Sequence, residues 1–192
     1  MQPFSGTLRW GVCGLAAVVC FWCGQARADV VSLTGTSTVT GGTAYNYSLS
    51  IASGEQINPG DFFRVYDFGS FNGVVATPAG FTFSSALTNP TPPPNVILSH
   101  GDDATIPNLT WTYTGTTPIV GPTIVTGFSA DSTSSQTTVK DFASRFTEST
   151  GQTAGAPVDS VGSISVPAPV PEPATVGLLA AGTIGLLARR RR

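Results

Sequence analysis

The side chains able to act on a substrate gather in two places along this chain. The first is Ser99-His100-Gly101-Asp102-Asp103, which holds the single histidine of the sequence. A hydrolytic triad sets an imidazole between a serine and an acid, and His100 with Asp103 would supply two of the three members. No Gly-x-Ser-x-Gly elbow accompanies them, and serines are too abundant to single one out. The same loop concentrates oxygen atoms suited to Ca²⁺, which takes about six to eight oxygen ligands. It lacks the spaced acids of a calcium loop, and Asp is also a good turn former. The second place is Asp61 to Asp67, where two acids flank Phe62-Phe63-Arg64-Val65-Tyr66. Strand alternation would put Asp61, Phe63, Val65 and Asp67 on one face and Phe62, Arg64 and Tyr66 on the other. Two acids across a cleft are the tools of glycoside hydrolysis, and Arg64 between two rings could stack on a sugar. A sheet face covered by its neighbours carries the same pattern. No catalytic residue, metal ligand or cofactor follows from these residues.

The elements that would position them read as strands. Tyr45, Tyr47, Leu49 and Ile51 alternate with polar residues, and so do Leu109, Trp111 and Tyr113 with Thr110, Thr112 and Thr114. Ile124, Thr126 and Phe128 continue the style. Further strands are expected at Val30–Thr40, Phe62–Phe68, Val74–Ala76, Phe81–Ser85, Asn95–Ser99, Thr137–Phe146 and Ser160–Val166. Gly41-Gly42, Asn58-Pro59-Gly60-Asp61, Asn72-Gly73, Pro78-Ala79-Gly80 and Gly121-Pro122 separate them as turns. The proline run from Asn89 to Asn95 reads as an extended loop. Val139–Glu148 is readable as a helix through Phe142 and Phe146, but strand fits it better. The fold class is mainly β, an antiparallel sandwich or jelly-roll-like body over residues 29–166. Its expected core is Tyr45, Tyr47, Phe63, Val65, Phe81, Phe83, Leu109, Trp111, Tyr113, Ile124 and Phe128. The threonine row Thr110, Thr112 and Thr114 should face outward.

Charge narrows the partners of this body. From Asp29 to Val170 it has three cations, Arg64, Lys140 and Arg145, against ten acids, a net near −7. Such a surface repels phosphate backbones, so nucleic acid is not an expected partner.

Both ends differ from the body. Residues 1–28 have the plan of a secretory signal: Arg9, an uncharged apolar run from Trp10 to Gly24, then Ala26-Arg27-Ala28. Signal peptidase should cut between Ala28 and Asp29. Cys13, Cys20 and Cys23 all lie in that segment, so the mature chain would have no thiol. None follows a small residue, which excludes a lipoprotein signal. At the other end, residues 167–173 form a proline-rich linker, expected to be extended and stiff. Residues 174–188 are uncharged and apolar, a transmembrane helix of about 22 Å that spans a thinned bilayer. Arg189, Arg190, Arg191 and Arg192 follow, and the positive-inside rule puts them in the cytoplasm. Gly177, Ala181 and Gly185 form a small-residue stripe along that helix.

Val170-Pro171-Glu172-Pro173, the apolar helix and the arginine cluster together resemble the PEP-CTERM sorting domain, a region also catalogued as an ice-binding protein C-terminal domain. The resemblance covers the last 23 residues or so and says little about the body. It implies export by Gram-negative bacteria, the inner membrane as at least a transient anchor, and an exosortase that cuts near Pro171-Glu172-Pro173. It associates such proteins with the outer surface, exopolysaccharide and biofilm matrix. The expected role is structural or interactive and non-catalytic, with a carbohydrate-binding or adhesive module as the alternative.

Overall fold

The computed structural model describes residues 29–87, 93–94 and 96–170. The expected signal peptide, most of the proline run and the chain from residue 171 onward, with the expected transmembrane helix, lie outside the described residues. Within them are eleven strands: β1 (Val30–Val39), β2 (Gly42–Ile51), β3 (Glu55–Ile57), β4 (Phe62–Val65), β5 (Phe71–Ala76), β6 (Phe81–Ala86), β7 (Asn108–Tyr113), β8 (Ile119–Val120), β9 (Thr123–Ser132), β10 (Thr137–Glu148) and β11 (Pro157–Pro167). No described segment is helical.

The strands form two antiparallel sheets. One has the order β1-β2-β9-β5. The other runs β6-β7-β4-β10-β3-β8, with β11 on the opposite edge of β10. Both contribute to one apolar core, the layering that a sandwich requires. Phe128 of the first sheet meets Phe63 and Phe81 of the second edge-on, with ring centroids 4.8 and 5.0 Å apart. Trp111 stacks on Phe63 at 5.0 Å. Aromatic side chains dominate because each buries a large area from a single strand position.

The alternation read from the sequence holds in β2, where Tyr45, Tyr47, Leu49 and Ile51 are all buried. Val139–Glu148 is part of strand β10 and not a helix, and because β10 is flanked on both edges its middle, Asp141–Ser144, is buried without alternation. Residues four apart share a face in either element, so Phe142 and Phe146 both point to the core.

Four expectations are corrected. Ile124 is 65% exposed. Tyr47 pairs with Phe128 but Leu49 with Val125, so β9 uses three steps where β2 uses two. That bulge, with Gly127 at φ 93°, reverses the inward face, and Val125 packs on the core instead. The strand from Phe62 stops at Val65, and Asp67 at φ 51° turns the chain. Residues 96–99 belong to no strand. Thr110 is buried, because Arg64 from the neighbouring strand lies over it and donates from Nε at 2.9 Å.

Candidate functional site

The last described residues do not stand free of the body. β11 reaches Pro167, and the chain is then held almost residue by residue. The Gly69 N–H donates to the Pro167 carbonyl at 3.1 Å, and the Ala168 N–H donates to the Gln136 carbonyl at 2.8 Å. The Val170 N–H donates to Ser70 Oγ at 2.9 Å. Gly69 is required here, since a Cβ would meet Pro169 N at 2.5 Å and the Pro167 carbonyl oxygen at 2.6 Å. The Gly69-Ser70 turn is itself fixed. Buried Ser132 donates from Oγ to the Gly69 and Ser70 carbonyls at 2.8 and 3.2 Å, and the Thr133 N–H reaches Ser70 O at 3.0 Å. The Tyr45 hydroxyl lies within 3.1 and 3.2 Å of the Ser134 and Gln136 carbonyls. A core tyrosine is thus linked through two loops to the start of the C-terminal segment.

That seat ends at Val170, just inside the segment with a recognisable identity. Residues 169–192 match the PEP-CTERM protein-sorting motif. No curated protein and no solved structure matches the chain. The tag marks an exported chain, carried by a membrane-anchored C-terminal signal and processed by an exosortase. Of the sorting residues only Val170 is described. Pro171, Glu172, Pro173 and Arg189 to Arg192 lie outside the described residues, as do Ala26 and Ala28 of the signal cleavage site.

The two constellations singled out earlier are engaged in holding the fold. His100 is not a free loop histidine. Its N–H donates to Asp141 Oδ2 at 2.7 Å, and its Nδ1 is 2.8 Å from Asp141 Oδ1. Asp141 is 1% exposed while the His100 side chain is 38% exposed. Asp103 lies apart from the imidazole: its N–H donates to Asp67 Oδ1 at 2.9 Å, and its carboxylate accepts from Thr105. Those two bonds to Thr105 hold the Asp103 carboxyl below its ordinary range. Asp102 accepts from Asn108 Nδ2, while Asn108 Oδ1 takes the Asp67 N–H. Lys140 Nζ closes the group at 2.8 Å from Asp67 Oδ2. Among the described residues no three such side chains converge as metal ligands.

Asp61 and Asp67 sit at opposite ends of β4 and do not share a cleft. Asp61 Oδ2 accepts from the Asn58 N–H and from Thr147 Oγ1. Burial, only partly offset by those bonds and by Arg145, holds its carboxyl above its ordinary value. Arg64 does lie between Phe62 and Tyr66, with its guanidinium carbon 5.1 and 5.8 Å from the ring centroids. Yet Arg64, Tyr66, Trp111 and Tyr113 are buried. The platform that a sugar would stack on is closed by the protein itself.

One pair was missed from the sequence. Asp29, first residue after the expected signal cut, is 1% exposed, and Glu55 of β3 is 3% exposed. Asp29 Oδ1 accepts the Ala52 N–H at 3.2 Å, but Asp29 Oδ2 and Glu55 Oε2 have no hydrogen-bond partner. Burial, then a carboxyl–carboxyl hydrogen bond with the facing Glu55 and its charge, push Asp29 up to about 8. Twenty-six positions of sequence separate the two acids, so no spacing rule could have joined them.

Proposed function

We propose that this protein is a non-catalytic structural or interaction component of a bacterial cell surface or exopolysaccharide matrix. Its β-sandwich body would be delivered outside by a signal peptide cut at Ala28–Asp29 and then released or transferred at the C-terminal tag. The match over residues 169–192 carries this reading. It is supported by the seat, which ties the body to the tag with no loose spacer before Val170. It is also supported by the structural employment of His100, Asp61, Asp67 and Asp103, the residues a hydrolase would need free. The acidic, thiol-free mature composition suits an extracellular matrix and disfavours nucleic acid.

The test is expression of the full chain in two otherwise identical Gram-negative hosts, one with an exosortase and one without. Intact-mass measurement should show a product ending near Pro171-Glu172-Pro173 only in the first. An unchanged C-terminus in both would contradict the sorting role. In the first host the product should fractionate with the cell surface or matrix polysaccharide, and recovery in the cytosol would contradict the location.

A further inference from the structure

One oxygen of each buried carboxyl, Asp29 Oδ2 and Glu55 Oε2, lacks a partner at the residue where export is expected to create a new charge. Hydrolysis of the Ala28–Asp29 amide by signal peptidase adds water across the bond. It leaves a carboxylate on Ala28 and an α-ammonium on Asp29, with three N–H donors. We propose that this α-ammonium is the missing partner of the buried Asp29–Glu55 pair, so that removal of the signal peptide locks the N-terminus into the end of the sandwich. The inference rests on the cleavage site given under the proposed function.

Three observations support it. The oxygens that lack partners are acceptors, Asp29 Oδ2 and Glu55 Oε2, and a third buried oxygen without a partner, Ser149 Oγ, lies on the same side. The Ser149 N–H donates to the Gly54 carbonyl, beside Glu55. The surroundings are acidic: Glu148 of β10 stands directly opposite Glu55, and Asp61 also acts on Asp29. Arg145 acts on Asp61 and is itself engaged with Asp159 at 2.7 and 2.9 Å; among the described residues no cation is seen to act on Asp29. Finally, β1 begins at Val30, so the nitrogen of residue 29 is fixed by strand pairing within one residue of the gap.

The unprocessed chain has another way to keep two buried carboxyls together, which is to share a proton. The two solutions lose stability in different windows of pH. A carboxyl whose folded value is raised contributes most stability in acid and loses it as pH climbs from about 4 towards 8. An α-ammonium, ordinarily near 7.7–8.0, is held above that range by buried carboxylates. Its contribution is full below about 8 and is lost only as pH passes its raised value.

The experiment compares the full chain as processed in its host with the same chain carrying one serine inserted between Ala28 and Asp29. The insertion displaces the ammonium by roughly 3.5 Å. N-terminal sequencing comes first and must read Asp29 in one and Ser-Asp29 in the other. A different N-terminus refutes the cleavage site, and the lock with it. With the cut confirmed, the processed chain should keep its melting temperature between pH 5 and 8. The inserted chain should fall progressively below it, by on the order of 5 °C at pH 7.5. At pH 7 the α-amine of the processed chain should react with an amine-directed label at least tenfold more slowly. Coincident melting profiles with equal labelling rates would overturn the lock while leaving the cleavage intact. Stabilisation of the processed chain by millimolar Ca²⁺, reversed by chelator, would assign the gap to a divalent cation and also overturn it. Glu55→Gln should abolish the pH-dependent difference, and a difference that persists counts against the pair.

Discussion

Asp67 has four jobs in one residue. It turns the chain at positive φ, bonds Asn108 through its N–H, holds the Asp103 backbone through one carboxylate oxygen and takes Lys140 on the other. Since Asp67 is fully buried, removing its counter-charge leaves a desolvated carboxylate. Lys140→Met should cost about 1–3 kcal/mol, the penalty of an unsatisfied buried polar group, read as a lower denaturation midpoint. It should also speed hydrogen exchange across residues 96–107. Gly69 poses the complementary problem of space. Any Cβ there meets backbone atoms of the C-terminal segment, which cannot swing aside as a side chain would. Gly69→Ala should cost about 1–3 kcal/mol through overpacking. Limited proteolysis should then open the chain at Pro167–Val170.

At the scale of elements, the bulge in β9 decides which residues face the core. Replacing Gly127, at φ 93°, with alanine should cost about 1–3 kcal/mol of backbone strain. Ile124→Thr, on the exposed side, should stay within about 0.5 kcal/mol, whereas Val125→Thr should cost more. Equal effects at 124 and 125 would contradict the reversed face. The same bulge marks where the sequence stopped being legible. Period-two patterning found β2 and β7 and their inward residues, because each has one side against the core. It misplaced Ile124, because one extra residue reverses parity without any change in composition. It missed β3 and β8, which are three and two residues long and too short to show a period. It split Asp29 from Glu55 and Asp67 from Lys140, because pairs that meet across the fold leave no local signature. The sorting segment was legible for the opposite reason: its proline, apolar and basic parts are contiguous.

For the whole molecule, the first described residues and the seat of Val170 lie at opposite ends of β2. Val30, beside the expected N-terminal cut, pairs with Ser50, whereas Thr43 at the other end pairs with Ser132 of the tag seat. Seven steps of strand, from Thr43 to Ser50, put these ends roughly 23 Å apart. A body tethered through Val170 would therefore hold its seat end towards the bilayer and its new N-terminus away from it. With the segment before Asp29 removed as proposed, the chain has no cysteine, so one introduced thiol would report position without background. The most direct measurement uses two single-cysteine chains in a host without exosortase: Ile97→Cys on the highly exposed loop, and a cysteine appended after Arg192. A membrane-impermeant maleimide added to spheroplasts should label the thiol at 97 and spare the C-terminal one until the membrane is broken. Labelling of the C-terminal thiol in intact spheroplasts, or protection of both, would contradict an exported body held by an inward-facing tag.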